Sequence, residues 1–330
     1  MENKKNGYEK YAKTGYIAGF IHNPTVKRVL PVWIFIVIML IIMAVFKPRL
    51  ILPKNLSTML MLASFMAIAG LGQGFVILTG GIDLSIPWVA AYSGIITTWF
   101  SQSNADLLWL IPTVLLFGGF AGLINGVGVV VLGINCVVMT MGMNAILEGV
   151  AMLMTGGTPE GDAPRALVWF ASGEIGGLHV SVIFIAVVTL VVSLILTRTA
   201  YGRKIYAIGN NKTAAFFSGI QVNYYEISVY VISGICSALL GLMLAGFIGE
   251  SYLGMGNQYL LTSIAAVAMG GAAILGGKGH YLGTLGGAIL LSMVSMLLSA
   301  YILPAGIQNI IFGVIILIAV IGVREKSQGV

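Results

Sequence analysis

Two acidic residues stand inside stretches of the chain that are apolar enough to lie in a membrane. Asp83 belongs to the segment TGGIDLS, and Glu148 belongs to NAILEGVAML. A carboxylate in hydrocarbon is costly, so each is expected to face protein or water, where it could contact a solute or carry a proton. Asp83 has a second interpretation, because its side chain could cap the following helix at Ser85 or Ile86. For Glu148 the alternative is a position at the outer surface.

Uncharged polar residues on apolar segments form a second set of candidates. Asn125, Asn135 and Asn144 carry amides that suit the hydroxyls of a sugar. The same amides suit hydrogen bonds between neighbouring helices in lipid. Both interpretations stay open for each asparagine.

The residue types needed for catalysis or metal binding are not grouped in this sequence. His22, His179 and His280 are dispersed, and no nucleophile is accompanied by a base. Cys136 and Cys236 stand in apolar surroundings and suit small core positions. We therefore predict no catalytic site and no bound metal.

One glycine-rich stretch, GGAAILGGKG at residues 270–279, approximates a phosphate-binding loop. Gly279 follows Lys278 where such a loop requires Ser or Thr, and Ala272 occupies the first glycine position. We interpret the stretch as a break between helices. The chain is therefore expected to bind no cofactor of its own.

The elements that must position these residues are membrane helices. Of the 330 residues, 58% are hydrophobic and 8% are charged, whereas soluble proteins average about 25% charged residues. A helix of about 20 apolar residues spans a bilayer, and the sequence predicts ten such spans. They are residues 29–46, 56–79, 86–100, 107–132, 137–155, 180–196, 227–249, 259–275, 282–300 and 305–323. The predicted fold class is an all-α, polytopic membrane helix bundle.

The distribution of basic residues orients this bundle. Thirteen of the 17 Lys and Arg residues fall in residues 1–28, in the loop 197–226, at Lys278 and in the carboxyl tail. Under the positive-inside rule these segments face the cytoplasm. We predict a cytoplasmic arm (1–28), a transmembrane domain (29–323) and a cytoplasmic tail (324–330), with no nucleic-acid partner. The acidic segment 156–179 is placed outside.

Three basic residues disagree with this topology. Alternation through ten spans places Lys47, Arg49 and Lys54 on the outer side.

The 44 glycines include two sets with regular spacing. Gly118, Gly122 and Gly126 recur every four residues in the fourth span, and Gly279, Gly283 and Gly287 do so at the ninth. Such spacing lets helix backbones approach closely in lipid. We predict close helix pairs at both places. A glycine-rich break in each half of the chain also hints at an internal repeat.

The basic loop 197–226 contains its own helix signals. Asn210 and Asn211 offer a helix start and Gly219 a stop, which predicts a short helix over 212–218. A helix of about two turns is marginal alone in water. It is expected to need a partner surface, either this protein's own membrane face or another protein.

The motif of this loop resembles that of the ribose/xylose/arabinose-type permease subunits of bacterial ABC importers, and the resemblance covers roughly residues 50–320. The loop matches YGR-x-IYAIG-x-N-x-x-AA-x-x-SGI, and GGIDLS at 80–85 is similar to a second family motif, although Pro87 departs from its usual continuation. A third match begins at Ile134 and Asn135. Within this matched segment, Glu148 stands at a position where many relatives carry a basic residue.

The resemblance implies roles for two sets of residues. The loop is expected to dock on an ATP-binding subunit through Tyr201, Gly202, Arg203, Gly209, Asn211, Ala214, Ala215, Ser218 and Gly219. Candidates for the translocation pathway are Gly80, Gly81, Asp83, Ser85, Asn125, Asn135, Thr140, Gly270 and Gly271.

What the resemblance implies as a function is the permease subunit of a sugar importer in the bacterial plasma membrane. Its partners would be an ATP-binding subunit that carries the ATP, an extracytoplasmic sugar-binding protein, membrane lipid and a second permease chain, identical or related. The alternative hypothesis is a secondary transporter coupled to protons through Asp83 or Glu148. A membrane scaffold without transport activity is a third possibility, and a membrane enzyme fits least because no catalytic set is present.

Overall fold

A computed structural model describes residues 24–101 and 103–322, and these residues are largely helical. Most of the predicted arm 1–28 and all of the predicted tail 324–330 lie outside them. The helices are α1 (Pro24–Phe46), α2 (Pro53–Leu78), α3 (Ile86–Phe100), α4 (Leu107–Val130), α5 (Cys136–Thr155), α6 (Arg165–Ser172), α7 (Val180–Arg198), α8 (Ala200–Asn210), α9 (Lys212–Phe217), α10 (Val222–Ile248), α11 (Tyr259–Met269), α12 (Tyr281–Ala300) and α13 (Ala305–Gly322).

Each predicted span overlaps one of these helices, but the predicted span 259–275 is wrong at its end, because the helix stops at Met269 and residues 270–275 are not helical. In the described part of the chain, seven helices are long and apolar enough to cross a membrane: α1, α2, α4, α5, α7, α10 and α12. Helices α3 and α11, with 15 and 11 residues, are shorter than a bilayer requires, and α13 ends at the limit of the described residues. The prediction of an all-α, polytopic membrane protein is confirmed. The ten-span count and the cytoplasmic termini stay predictions.

Helix α10 packs against α2, α3 and α4, and its contact with α4 depends on glycine. A Cβ atom at Gly118 would overlap the carbonyl oxygen of Gly234, and one at Gly122 would overlap that of Tyr230. The two backbones therefore touch, as the spacing in the fourth span predicts.

The second glycine set joins α11 to α12. A Cβ atom at Gly283 would overlap the carbonyl oxygen of Gly270, and one at Gly287 would overlap that of Ala266. Gly279 of the same set precedes α12 and lies in the glycine-rich, non-helical stretch between α11 and α12. Both predicted close helix pairs are thus present.

The acidic segment 156–179 forms α6 and a hairpin, the one strand pair among the described residues. Strands β1 (Glu174–Ile175) and β2 (Leu178–His179) pair antiparallel. The two glycines between them, Gly176 and Gly177, have φ of +61° and +84°, which suits a two-residue hairpin turn. Within residues 24–101 and 103–322 this small hairpin is the exception to a helical architecture.

Candidate functional site

Asp83 lies in the non-helical break between α2 and α3 and is completely enclosed by protein. Its Oδ1 accepts hydrogen bonds from the backbone N–H of Ser85 at 2.9 Å and from the Ser85 hydroxyl at 2.6 Å. Its Oδ2 accepts a hydrogen bond from the Ser233 hydroxyl of α10 at 2.6 Å. The carboxylate thus holds the turn before α3 in shape, as one of the two interpretations of the sequence expects, and also ties that turn to α10.

The network extends to α4 through Asn125. The Asn125 Nδ2 donates to the Ser85 hydroxyl at 2.9 Å, while its Oδ1 accepts no hydrogen bond from the described residues. The phenolic oxygen of Tyr230, one turn before Ser233 on α10, is likewise buried without a partner among them. A Cβ atom at Gly81 would lie 2.5 Å from this oxygen, so a side chain there would have to displace the end of Tyr230. Side chains of both α4 and α10 therefore contact the break.

Two side chains of α5 hold the other side of the break. The Thr140 hydroxyl accepts a hydrogen bond from the backbone N–H of Leu84 at 3.0 Å. The Asn144 Oδ1 accepts one from Trp88 at 3.3 Å, which satisfies an N–H of the first turn of α3. Asn135, by contrast, is exposed and caps α5 by accepting from Val137 at 3.0 Å. Of these predicted polar candidates, Asn125, Thr140 and Asn144 converge on the break and Asn135 does not.

The second glycine-rich break, residues 270–280, packs directly on the first. The N–H of Gly277 donates to the carbonyl oxygen of Leu78 at 2.9 Å, and a Cβ atom at Gly80 would lie 3.3 Å from the carbonyl oxygen of Leu275. Gly80 and Gly271 have φ of +85° and +82°, a region open to glycine and strained for other residues. The sequence alone did not indicate that the two breaks are in contact with each other.

The predicted short helix of the basic loop is present as α9. Asn211 caps it by accepting a hydrogen bond from the N–H of Ala214 at 2.9 Å, and Gly219, with φ of +80°, follows its end. Lys212 forms an ion pair with Glu226 of α10 at 2.5 Å. This ion pair joins the first residue of α9 to the first turns of α10.

The side chains of α9 divide between two faces. Ala215 is 4% exposed and faces this protein, whereas Phe216 and Phe217 are 65% and 81% exposed. The two phenylalanines are not named in the predicted docking set, although the small and aromatic residues of this helix are predicted to need a partner surface, and exposed aromatic residues often anchor interfaces. Phe216 and Phe217 form the apolar surface of this loop, and we call these two residues the phenylalanine pair.

Other residues of the predicted docking set hold the loop together. The Tyr201 hydroxyl lies 2.6 Å from the Ser228 hydroxyl, and Arg203 Nη1 donates to the carbonyl oxygen of Arg198 at 3.3 Å. The Ser218 hydroxyl donates to the carbonyl oxygen of Ala214 at 2.8 Å. A Cβ atom at Gly202 would overlap the backbone of Leu196. These contacts position the loop relative to α7 and α10.

The end of α8 touches both breaks. A Cβ atom at Gly209 would overlap the carbonyl oxygen of Leu78 and the backbone nitrogen of Gly277. The Tyr206 hydroxyl donates to the carbonyl oxygen of Gly279 at 2.7 Å. Burial raises the pKa of Tyr206 to about 12, so the phenol keeps the proton that it donates. The basic loop therefore packs against Leu78, which precedes the first break, and against Gly277 and Gly279 of the second.

We expect Gly209→Ala to lower the thermal unfolding midpoint in detergent and to reduce transport, because the new methyl group meets backbone atoms that side-chain rotation cannot move. Overpacking of this kind costs about 1–3 kcal/mol. The control is Gly142→Ala on α5, where a Cβ atom meets nothing within 4 Å. Equal unfolding midpoints for the two variants would show that the contact at Gly209 is loose.

Metal-ligand residues are not gathered in the described part of the chain, where no three His, Cys, Asp or Glu side chains lie together as a metal site requires. Glu148 is exposed on α5, away from Asp83. The site therefore consists of hydrogen-bonding groups around a break, connected to a loop with an exposed aromatic pair.

Comparison with known proteins identifies the chain's relatives. Residues 55–320 match the model of the family described as branched-chain amino acid transport system / permease component. The chain is 33% identical to the ribose import permease protein RbsC of Haemophilus influenzae over 293 residues, 88% of this chain and 91% of that one. It is 33% identical to the D-allose transport system permease protein AlsC of Escherichia coli, over 86% of this chain and 88% of that one.

A further relative carries a different name. The autoinducer 2 import system permease protein LsrD of Photorhabdus temperata is 29% identical over 301 residues, 88% of this chain and 90% of that protein. No solved structure matches the chain.

Proposed function

Because this chain belongs to the branched-chain amino acid transport system / permease component family, we propose that it is the membrane-spanning permease subunit of an ATP-driven importer for a sugar. Two of its relatives are named for ribose and D-allose. A pentose, a hexose or a related polyol is therefore the proposed cargo. The proposed location is the bacterial plasma membrane.

The observation that carries the proposal is the path of contacts from α9 to Asp83. Lys212 of α9 pairs with Glu226 near the start of α10, and Ser233, two turns further along α10, donates to Asp83. A displacement of α9 by a docked partner would therefore move α10, and α10 would move the break at Asp83. Rigid movement of helices around a discontinuous segment is a general way to alternate access to a central site.

The proposed partners follow from this arrangement. An ATP-binding subunit supplies the push and hydrolyses ATP, since the chain is proposed to bind no nucleotide itself. An extracytoplasmic sugar-binding protein delivers the cargo. A second permease chain, identical or related, encloses the path together with this one.

Transport in proteoliposomes tests the proposal. The permease is reconstituted with its ATP-binding subunit and its sugar-binding protein, and uptake of labelled ribose and labelled allose is measured with ATP and with a non-hydrolysable analogue. We expect uptake of one of these sugars only with hydrolysable ATP, and we expect it to persist after an uncoupler collapses the proton gradient. Uptake that needs the gradient and ignores ATP would instead establish a proton-coupled secondary transporter.

A further inference from the structure

Helix α7 exposes large apolar side chains and buries polar ones. Five of its apolar side chains are between 40% and 63% exposed and share one face, linked by steps of three and four residues: Ile183, Val187, Leu190, Val191 and Leu194. The buried face includes the hydroxyls of Ser181 and Thr189. A helix surrounded by water shows the opposite arrangement, so the exposed face of α7 is suited to contact with lipid acyl chains.

Arg198 ends this exposed apolar face. It is the last residue of α7, it is exposed, and it follows Leu194 by four residues, so both lie on the same side of the helix. Basic side chains at the end of a membrane-spanning helix place their charge at the level of the lipid headgroups while their methylene groups stay against hydrocarbon. The guanidinium of Arg198 is therefore expected at the surface of the bilayer.

A second exposed guanidinium lies next to Arg198. Helix α8 folds back on the end of α7, where Gly202 packs against the backbone of Leu196. This turn brings Arg203 to the end of α7, so that its Nη1 donates to the carbonyl oxygen of Arg198 at 3.3 Å. Two positive side chains this close repel each other unless an anion lies between them.

The other charged residues of the basic loop are engaged elsewhere. Lys204 donates to the Tyr225 hydroxyl at 2.8 Å and lies 4.9 Å from the centre of that ring. The one acid of the loop, Glu226, is paired with Lys212. Among the described residues, no carboxylate forms an ion pair with Arg198 or Arg203. The positive charge at this corner is thus available to an anion from outside the chain.

We infer that Arg198 and Arg203 bind the phosphate of an anionic phospholipid, such as phosphatidylglycerol, whose acyl chains lie along Val191 and Leu194. Guanidinium groups match the oxygen atoms of a phosphate in charge and geometry. A lipid satisfies both halves of this surface, because its headgroup meets the arginines and its hydrocarbon covers the apolar face. The bound lipid would stabilise the turn between α7 and α8, where the basic loop begins.

Photolabelling tests the site in the full-length permease, purified in detergent without its partners. Phosphatidylglycerol with a diazirine on its acyl chain is illuminated with the protein, and labelled peptides of α7 are quantified relative to those of α1, where Phe35 is 58% exposed. We expect phosphatidylglycerol to label α7 at about 20-fold lower concentration than the matching phosphatidylcholine. Each basic residue near an anionic headgroup supplies a factor of about five.

The two arginines are tested by the variant Arg198→Gln/Arg203→Gln, which should lose this preference for phosphatidylglycerol. Arg165→Gln, at an exposed arginine of α6, is the control and should keep the preference. Because two lipids are compared within each variant, a general loss of stability cancels. If the double variant does not fold, Arg198→Gln alone serves, since Arg203 can still donate to the backbone at residue 198. It should lower the preference about fivefold.

Three results would overturn the lipid site. The first is equal labelling of α7 by the two lipids, or a preference that survives Arg198→Gln/Arg203→Gln. The second is an α7 that stays unlabelled while α1 is labelled, which would mean that protein, such as a second permease chain, covers this face. The third is displacement of phosphatidylglycerol by equal concentrations of soluble glycerophosphoglycerol, which would show a site for a free phosphate ester. None of these measurements needs ATP or a cargo.

Discussion

Replacement of both Phe216 and Phe217 by Ala is expected to abolish ATP-driven uptake while the protein still inserts into the membrane. Exposed aromatic pairs of this kind anchor interfaces, and truncation of such an anchor costs about 2 kcal/mol or more. Two anchors together should weaken the affinity for the ATP-binding subunit by at least about 30-fold. The measurements are co-purification with that subunit and uptake in proteoliposomes.

A matched control separates docking from general loss of apolar surface. Phe35 on α1 is 58% exposed, close to the 65% of Phe216, but lies on a membrane-spanning helix. Phe35→Ala should retain both the ATP-binding subunit and uptake. If the Phe216/Phe217 variant co-purifies with the subunit as well as the control does, α9 is not the docking element.

The structure also changes what is expected of two residues in the predicted docking set. Ala215 faces this protein, and Gly202 lies against the backbone of Leu196. A bulky substitution at either position would act on the fold of the loop, so it would not report on docking by itself. The phenylalanine pair gives the cleaner test because its side chains point away from the protein.

Local features of the loop and the spans could be predicted from the sequence, because they depend on nearby residues. The cap at Asn211 and the stop at Gly219 follow from short-range hydrogen bonding and backbone freedom. The glycine spacing on α4 predicted its close contact because repeats of four residues align on one helix face. In each case the cause lies within a few turns of the chain.

The long-range contacts of the site could not be predicted in this way. Nothing in the periodicity places Gly209 against Leu78, or Gly277 against Leu78, because those pairs are far apart in the chain and no repeat links them. A six-residue helix such as α9 is also too short for its pattern to show which face is buried. The sequence therefore predicted local elements such as caps and close helix pairs better than the arrangement of the two breaks and the loop.

Asp83 gives the second large expected effect, and the two substitutions Asp83→Ala and Asp83→Asn separate its possible roles. Asp83→Ala leaves three buried donors, the Ser85 N–H and the Ser85 and Ser233 hydroxyls, without their acceptor. An unsatisfied buried donor costs about 1–3 kcal/mol. We expect this variant to lose about 3 kcal/mol of stability, seen as a lower thermal unfolding midpoint in detergent, and to lose uptake.

Asp83→Asn should be far milder if the residue acts as a structural link between the break and α10. The amide oxygen can still accept both hydrogen bonds from Ser85, and the Ser233 hydroxyl can rotate to accept from the amide nitrogen. Uptake should then stay within about threefold of the unsubstituted protein, since the hydrogen-bonded contact between α10 and the break is kept. A proton carrier behaves differently, because an amide does not titrate. Normal stability together with complete loss of uptake in Asp83→Asn would therefore show that the charge of Asp83, rather than its hydrogen bonds, drives transport.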